Sequence, residues 1–193
     1  MSAAAIKLEL VTPGRAYLPG YVAALEAGWS PDTTQDIHEE QLAALRRDAG
    51  AFLADLVAEV GPIRHADGSV TERLPNLTFW LWDGEFCGMA GLRYQPWSAA
   101  LPHYVKGHIG VKGHIGYGVV PWKRRRGYAT RALRLILPVA RGVGLARVFL
   151  ICDAGNVASR KVIERNGGRL AGRGTPPATG LVGPGRCGYW ITL

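Results

Sequence analysis

Between Ile115 and Cys152 the chain runs through an apolar stretch, a turn of four consecutive cations and a glycine, an amphipathic segment, and a second apolar stretch. No other segment restricts the fold as much. The apolar stretch that carries His114 and Tyr117 reads as a strand ending at Pro121, and RVFLIC (147–152) as a compact strand suited to burial on both faces. Between them Ala129, Ala132, Leu133, Ile136, Leu137 and Ala140 keep helical spacing. Strand, helix and strand in that order call for a sheet with helices packed on it. Pro138 is expected to kink the helix, since it has no N–H to donate.

The remaining segments extend this pattern. IKLELV (6–11) predicts a first strand and YLPGYVAALEAGW (17–29) a short helix. Asp36 with Glu39 resembles a capping box for a longer helical stripe through Leu42, Leu45, Phe52, Leu53, Leu56 and Val57. Asp48 and Gly50 are expected to divide that stripe into two pieces. Residues 61–75 read as a polar loop. LTFWLW (77–82) and EFCGMAGLRY (85–94) flank Asp83-Gly84, a strong hairpin signal. NVASRKVIERNGG (156–168) reads as a helix with an Asn cap and a glycine stop, and GRCGYWITL as a closing strand. The order predicts one α/β domain over 1–193, a mixed sheet with helices on both faces.

VKGHIG fills 105–110 and again 111–116. The spacing of Ile109 and Ile115 has the rhythm of a left-handed β-helix, but Pro121 breaks it at the next step, and two coils bury no core of their own. A strand lengthened at its start is the simpler reading. Six residues add about 20 Å of extended chain and preserve which face each later side chain occupies. A local hairpin around Gly110–Gly113 is the alternative. In both cases the repeat lies upstream of the cationic turn.

Charge is distributed unevenly. Residues 1–121 hold 9 Lys+Arg against 13 Asp+Glu, and residues 122–193 hold 14 against 2. The C-terminal half is therefore expected to meet an anion, either nucleic acid or a phosphorylated cofactor. No run approaches the roughly 18 apolar residues of a membrane span, and MSAAAIKLEL reads as a strand and not a leader. Cys87, Cys152 and Cys187 have no metal-ligand spacing and read as reduced thiols of a cytoplasmic protein.

At Arg124-Arg125-Arg126-Gly127-Tyr128-Ala129 a strand turns into a helix. Such a turn aims free main-chain N–H groups at one point, and the helix dipole adds about half a positive charge there. Gly127 permits close approach of an anion, and small Ala129 keeps the first helical turn open. The segment is a cradle for a diphosphate. It is not a P-loop, because no Gly-Lys-Ser/Thr follows, and it lacks the GxGxxG spacing.

Through these residues the chain resembles the GNAT acetyltransferases, which use acetyl-coenzyme A. Their pyrophosphate loop, Gln/Arg-x-x-Gly-x-Gly/Ala, is matched by Arg124, Gly127 and Ala129, and their strand-end Val-x-Pro by Val119-Val120-Pro121. Asn156 and Ser159, opening a helix that ends in Asn166-Gly167-Gly168, match their Asn-x-x-Ala/Ser…Gly signature. GHIGYGVVPWKRRRGYATRAL is similar to one bacterial branch of that family. The resemblance implies a mostly antiparallel mixed sheet whose fourth and fifth strands splay apart to admit the pantetheine arm.

It also implies roles. Val119 and Val120 would meet the pantetheine through their main chains. The N–H groups of Arg125, Arg126, Gly127, Tyr128, Ala129 and Thr130 would hold the pyrophosphate, beside Arg124. Asn156, with Ser159, would approach the arm from the other side. Acetyl-CoA would be the co-substrate, with no metal. A neutral amine would attack the thioester carbonyl, its oxyanion leaning on a main-chain N–H near Val119. An alkylamine has a pKa of about 10.4, so a base or selective binding must supply its neutral form. The tyrosine that family members often use as the acid falls at Ile163 here. His114 and Tyr117 are the candidates in its place, although an odd separation points them to opposite faces of a regular strand. His108, in the first copy of the repeat, could mimic His114 with no role. Cys152 and Asp153 end the fifth strand nearby, where an inert buried thiol competes with an acyl-accepting one. Asp32, Asp36, Glu39 and Glu40 are candidates to attract a cationic amine, or else simply favour a helix start.

The resulting expectation is an acetyl-CoA-dependent N-acetyltransferase acting on a small-molecule amine, with modification of a protein amine as the second choice. The expected partners are that amine and, for assembly, a second copy of the chain; neither nucleic acid nor a membrane is expected. Two other classes compete. A nucleic-acid-binding regulator would need stacking aromatics among the arginines, which the sequence lacks. An acyl-CoA sensor without turnover is favoured by Ile163.

Overall fold

A computed structural model describes residues 7–33, 35–64, 68, 70–95, 113–173 and 185–193. Its strands are β1 (Glu9–Val11), β2 (Pro62–Arg64), β3 (Val70–Glu72), β4 (Asn76–Trp82), β5 (Phe86–Arg93), β6 (Ile115–Val119), β7 (Arg147–Asp153), β8 (Arg169–Arg173) and β9 (Arg186–Thr192). The helices are α1 (Leu18–Glu26), α2 (His38–Val57), α3 (Tyr128–Gly142) and α4 (Val157–Arg165). Three sheets form, in the orders β1-β4-β5-β6, β2-β3 and β7-β9-β8. The mixed α/β class read from the sequence is the class observed, and the strands expected as fourth and fifth are β6 and β7.

The described chain divides into two compact units, each taken by itself. The first comprises the N-terminal part to Ala58, Thr78–Ala90 and Tyr117–Leu135; the second comprises Glu59–Leu77, Gly91–Gly116 and Ile136–Leu193.

In the first unit Tyr21, Trp29, Trp80 and Phe86 form an aromatic core with Leu25, Leu42, Leu45, Leu53 and Val120. Tyr21 stacks on Trp80 with ring centres 4.7 Å apart, and Phe86 meets it edge-on at 5.4 Å. These geometries add to the stabilisation from buried area. Helix α2 is two pieces, as its sequence predicts. Asp48 has extended backbone (φ −160°, ψ 97°), and its carboxylate accepts the Ala51 N–H at 2.9 Å, capping the second piece. The capping box does not form as expected. The N-cap is Ile37, and Asp36 instead accepts from the His38 N–H and ring.

In the second unit β7 and β9 pair over seven residues, from Arg147↔Thr192 to Asp153↔Arg186, with Cys152 opposite Cys187. Val148, Phe149 and Leu150 are all buried, as expected of a strand covered on both faces. Gly188 makes room for Phe149, since a Cβ there would lie 2.5 Å from the ring. The stretch 61–75 is not only a loop, for β2 and β3 form a short hairpin within it. Strands of three residues are too short to display alternation. Helix α3 runs on through Pro138 as one element. The first VKGHIG copy and the start of the second (105–112) lie outside the described residues, and β6 begins at Ile115.

Candidate active site

The cationic turn joins β6 to α3. Pro121, with its φ already restricted, opens a single 3₁₀ turn (Pro121–Lys123) closed by the bond from the Lys123 N–H to the Val120 carbonyl at 3.0 Å. The Arg124 N–H bonds to the Pro121 carbonyl at 3.2 Å. Two left-handed residues follow, Arg125 at φ 60° and Gly127 at φ 87°. Arg125 is the exception among them, because a side chain at such a φ is uncommon and costs roughly 1–2 kcal/mol. Helix α3 then starts, its first turn closed by the Arg131 N–H on the Gly127 carbonyl at 3.0 Å.

Among the described residues, the N–H groups of Arg125, Arg126, Gly127 and Ala129 donate to no main-chain carbonyl. A Cβ built on Gly127 would meet nothing within 4 Å, so the turn faces open space at its glycine. Amides without a main-chain partner, beside left-handed residues and a helix N-terminus, are groups of the kind that could hold an anion.

The four cations do not act alike. Arg125 and Arg126 are exposed. Arg124 turns back, its Nε donating to the Val119 carbonyl at 3.0 Å. Lys123 is buried, and its Nζ donates to Asp83 at 2.7 Å and Glu85 at 3.0 Å. The other Asp83 oxygen accepts from the Tyr128 hydroxyl. Burial pushes the Asp83 carboxyl up, but hydrogen bonds from Lys123 and Tyr128 outweigh it and hold the group at about 2. Burial pushes Lys123 down, and its bonds to Asp83 and Glu85 more than reverse that. Sequence reading missed this cluster, since its partners lie 40 and 45 residues apart and only the Asp-Gly turn is visible.

The main chain before the turn is engaged on one side. The Val120 N–H donates to the Cys87 carbonyl at 3.0 Å, so that group serves the fold. Gly88, at φ 138°, lies against the same segment; a Cβ there would be 2.0 Å from the Gly118 carbonyl oxygen.

Tyr117 sits half-buried in β6. His114 precedes that strand and is fully buried. Its Nδ1 accepts the Phe149 N–H at 2.9 Å, its own N–H donates to the Phe149 carbonyl at 2.7 Å, and its carbonyl accepts from Arg93 at 2.7 Å. Burial pushes the ring down to about 4. With Nδ1 accepting, the neutral ring carries its proton on Nε2, and this histidine pins the chain just before β6 to β7. Asn156 caps α4, its side chain accepting the Ser159 N–H at 2.9 Å. Ile163 is buried in the core of the second unit. Of the acids considered for an amine, Asp32 accepts the Gln35 N–H at 3.2 Å, and Asp36 pairs with His38 at 2.6 Å. The His38 hydrogen bonds lower Asp36, and Asp36 raises His38 in return. Among the described residues, no group of three or more His, Cys, Asp or Glu is arranged to hold a metal, and no helix is long and apolar enough to cross a membrane.

The family described as "Acetyltransferase (GNAT) domain" matches residues 29–169. The chain belongs to the GNAT acetyltransferase family. Solved GNAT-fold structures align over nearly all of it. Mycobacterium smegmatis RimJ, in complex with CoA-disulfide, has 21% identity and a TM-score of 0.61, covering 96% of this chain and 81% of its own. RimL, a ribosomal L7/L12 α-N-protein acetyltransferase in complex with coenzyme A, has 17% identity and a TM-score of 0.57, covering 99% and 97%. The microcin C7 self-immunity acetyltransferase MccE, with acetyl-CoA and AMP, has 14% identity and a TM-score of 0.55, covering 96% and 92%. A search of curated protein sequences finds no match. At these identities the neighbours establish the fold, and the GNAT assignment rests on the domain match. Both ends of the cationic turn fall inside the matched residues.

Proposed function

We propose that this GNAT acetyltransferase moves an acetyl group from acetyl-CoA to a primary amine, on a small molecule or a protein, by direct attack in a ternary complex. The observation that carries the reading is the turn 124–129, with unpaired amides around a left-handed glycine that faces open space. Acetyl-CoA supplies an acyl carbon activated as a thioester. The amides of Arg125 through Ala129 would hold its pyrophosphate, with Arg125 and Arg126 adding positive charge. The Val119 main chain is the proposed contact for the pantetheine arm. Asn156 keeps its capping role in the proposal.

Of the two residues considered for proton transfer, Tyr117 stays in the proposal. His114 leaves it, because its Nδ1 lone pair already accepts from Phe149 and its ring is enclosed. Selective capture of the neutral amine then becomes the main route to a nucleophile.

The test is a turnover screen with acetyl-CoA across amines, amino acids, aminoglycosides and peptides, read as release of free CoA thiol. RimL, named as an α-N-protein acetyltransferase, is the reason to include peptides with free N-termini. Thiol release with one acceptor class establishes the reading. Binding of acetyl-CoA with no release from any acceptor would make the protein an acyl-CoA sensor, the outcome that buried Ile163 favours.

A further inference from the structure

We propose that Asp83 is a positioning residue for the cofactor turn, its single carboxylate tying together the two ends of residues 124–127. The proposal rests on the proposed role of this turn in holding CoA. Lys123 ends the 3₁₀ turn just before residues 124–127, and Tyr128, the first residue of α3, follows them directly. Lys123 Nζ reaches one Asp83 oxygen at 2.7 Å, and the Tyr128 hydroxyl reaches the other. The lysine and aspartate side chains are only 9% and 15% exposed, so water competes weakly for the tie. Glu85 adds a second acceptor to Lys123 at 3.0 Å.

What lies between the tied ends resists its own shape. Three adjacent arginines repel one another, and two residues hold left-handed backbone, one of them with a side chain. Left alone, such a segment relaxes, and the amides proposed to hold the pyrophosphate disperse. Fixing residues 123 and 128 to one carboxylate removes that freedom before any ligand arrives, and preorganised donors bind more tightly. Asp83 is itself held in the hairpin turn, where its carboxylate accepts the Glu85 N–H at 3.2 Å and its own N–H donates to the Glu85 carbonyl at 3.2 Å. The carboxylate acts through the turn, not on the cofactor.

Three variants separate positioning from simple stability, with CoA as the probe. Tyr128→Phe removes one hydroxyl and is expected to weaken CoA binding about tenfold, as loss of a hydrogen bond to a charged group does. Asp83→Asn removes the buried charge that Lys123 pairs with and leaves its ammonium only the exposed Glu85 carboxylate, so Tm and CoA affinity should both fall. In Asp83→Asn/Lys123→Met no charge is left buried and unpaired, so Tm should return toward that of the wild type while CoA affinity stays at least tenfold weaker. Amide hydrogen exchange at residues 125–129 should be faster than wild type in all three. If affinity recovers with Tm in the double variant, or Tyr128→Phe binds CoA as the wild type does, Asp83 is structural only and the proposal is overturned. A folded wild-type chain that takes up no CoA overturns the acetyl-CoA reading as well.

Discussion

Replacing Gly127 by alanine separates the cost to the fold from the cost to the cofactor. Gly127 sits at φ 87°, where an L side chain is strained by roughly 1–2 kcal/mol. The added Cβ meets nothing within 4 Å, so no packing penalty is expected beyond that strain. For a chain of this length, that corresponds to a fall in Tm of about 2–8 °C. The methyl group would stand in the open space that the turn faces at its glycine. If it denies the pyrophosphate two charge-assisted hydrogen bonds, each worth at least about 1.5 kcal/mol, affinity falls by about 3 kcal/mol, a little over a hundredfold. Calorimetric titration with CoA and a thermal melt of the same preparation measure both quantities. Arg126→Ala is the control, since it keeps every amide of the turn and removes one exposed charge, a loss worth no more than about 1 kcal/mol. Normal CoA binding by Gly127→Ala together with its loss in Arg126→Ala would refute the cradle. The site would then be a patch of side-chain cations.

Gly88→Ala is expected to behave in the opposite way. Its Cβ would lie 2.0 Å from the Gly118 oxygen, so the fold itself should be damaged, and a melt within a degree or two of wild type would contradict the close approach. His114 should make stability depend on pH. Its folded value of about 4 lies below the usual 6.5, so the unfolded chain binds the proton more readily. Stability is then greatest above pH 6.5 and falls by roughly 3 kcal/mol as pH drops to 4. Urea titrations at several pH values should show that slope in the wild type and its loss in His114→Asn, which keeps an acceptor for the Phe149 N–H; equal slopes would exclude His114 as the titrating group. Asn156→Ala should cost about 1 kcal/mol of stability through the lost cap, and unchanged stability would show that the Ser159 N–H needs no such partner.

Elements with local signals are legible in the amino-acid sequence itself. Asp83-Gly84 between apolar runs identifies β4 and β5, Asp48 divides α2, and Asn156 marks the start of α4. The break between β6 and α3 is legible too, since Gly127 separates an apolar strand from an amphipathic helix and takes a left-handed φ of 87°. What escapes depends on contacts distant in sequence. Lys123 looks like one of four equivalent surface cations, and only the fold brings it to Asp83 and Glu85. The Val120 N–H looks available for a ligand, but the Cys87 carbonyl accepts from it. His114 has the residue type of a catalytic group, but a type says nothing about which ring nitrogen is already engaged. The hairpin β2–β3 is hidden for a different reason, having too few residues for a period to show.

The three cysteines bear directly on how the enzyme can be watched. All three are unpaired and buried, with Cys87 and Cys187 at 0% exposure and Cys152 at 6%. Burial pushes the Cys87 thiol up to about 12 and raises that of Cys152, so neither offers appreciable thiolate near neutral pH. A chromogenic thiol reagent added to a turnover mixture should therefore count CoA released by the reaction and ignore the native protein. The same reagent in denaturant should find 3 thiols per chain. One dye thus serves as a progress curve for catalysis and as an alarm for unfolding, and slow colour without any acceptor present would identify a preparation that is opening, not turning over.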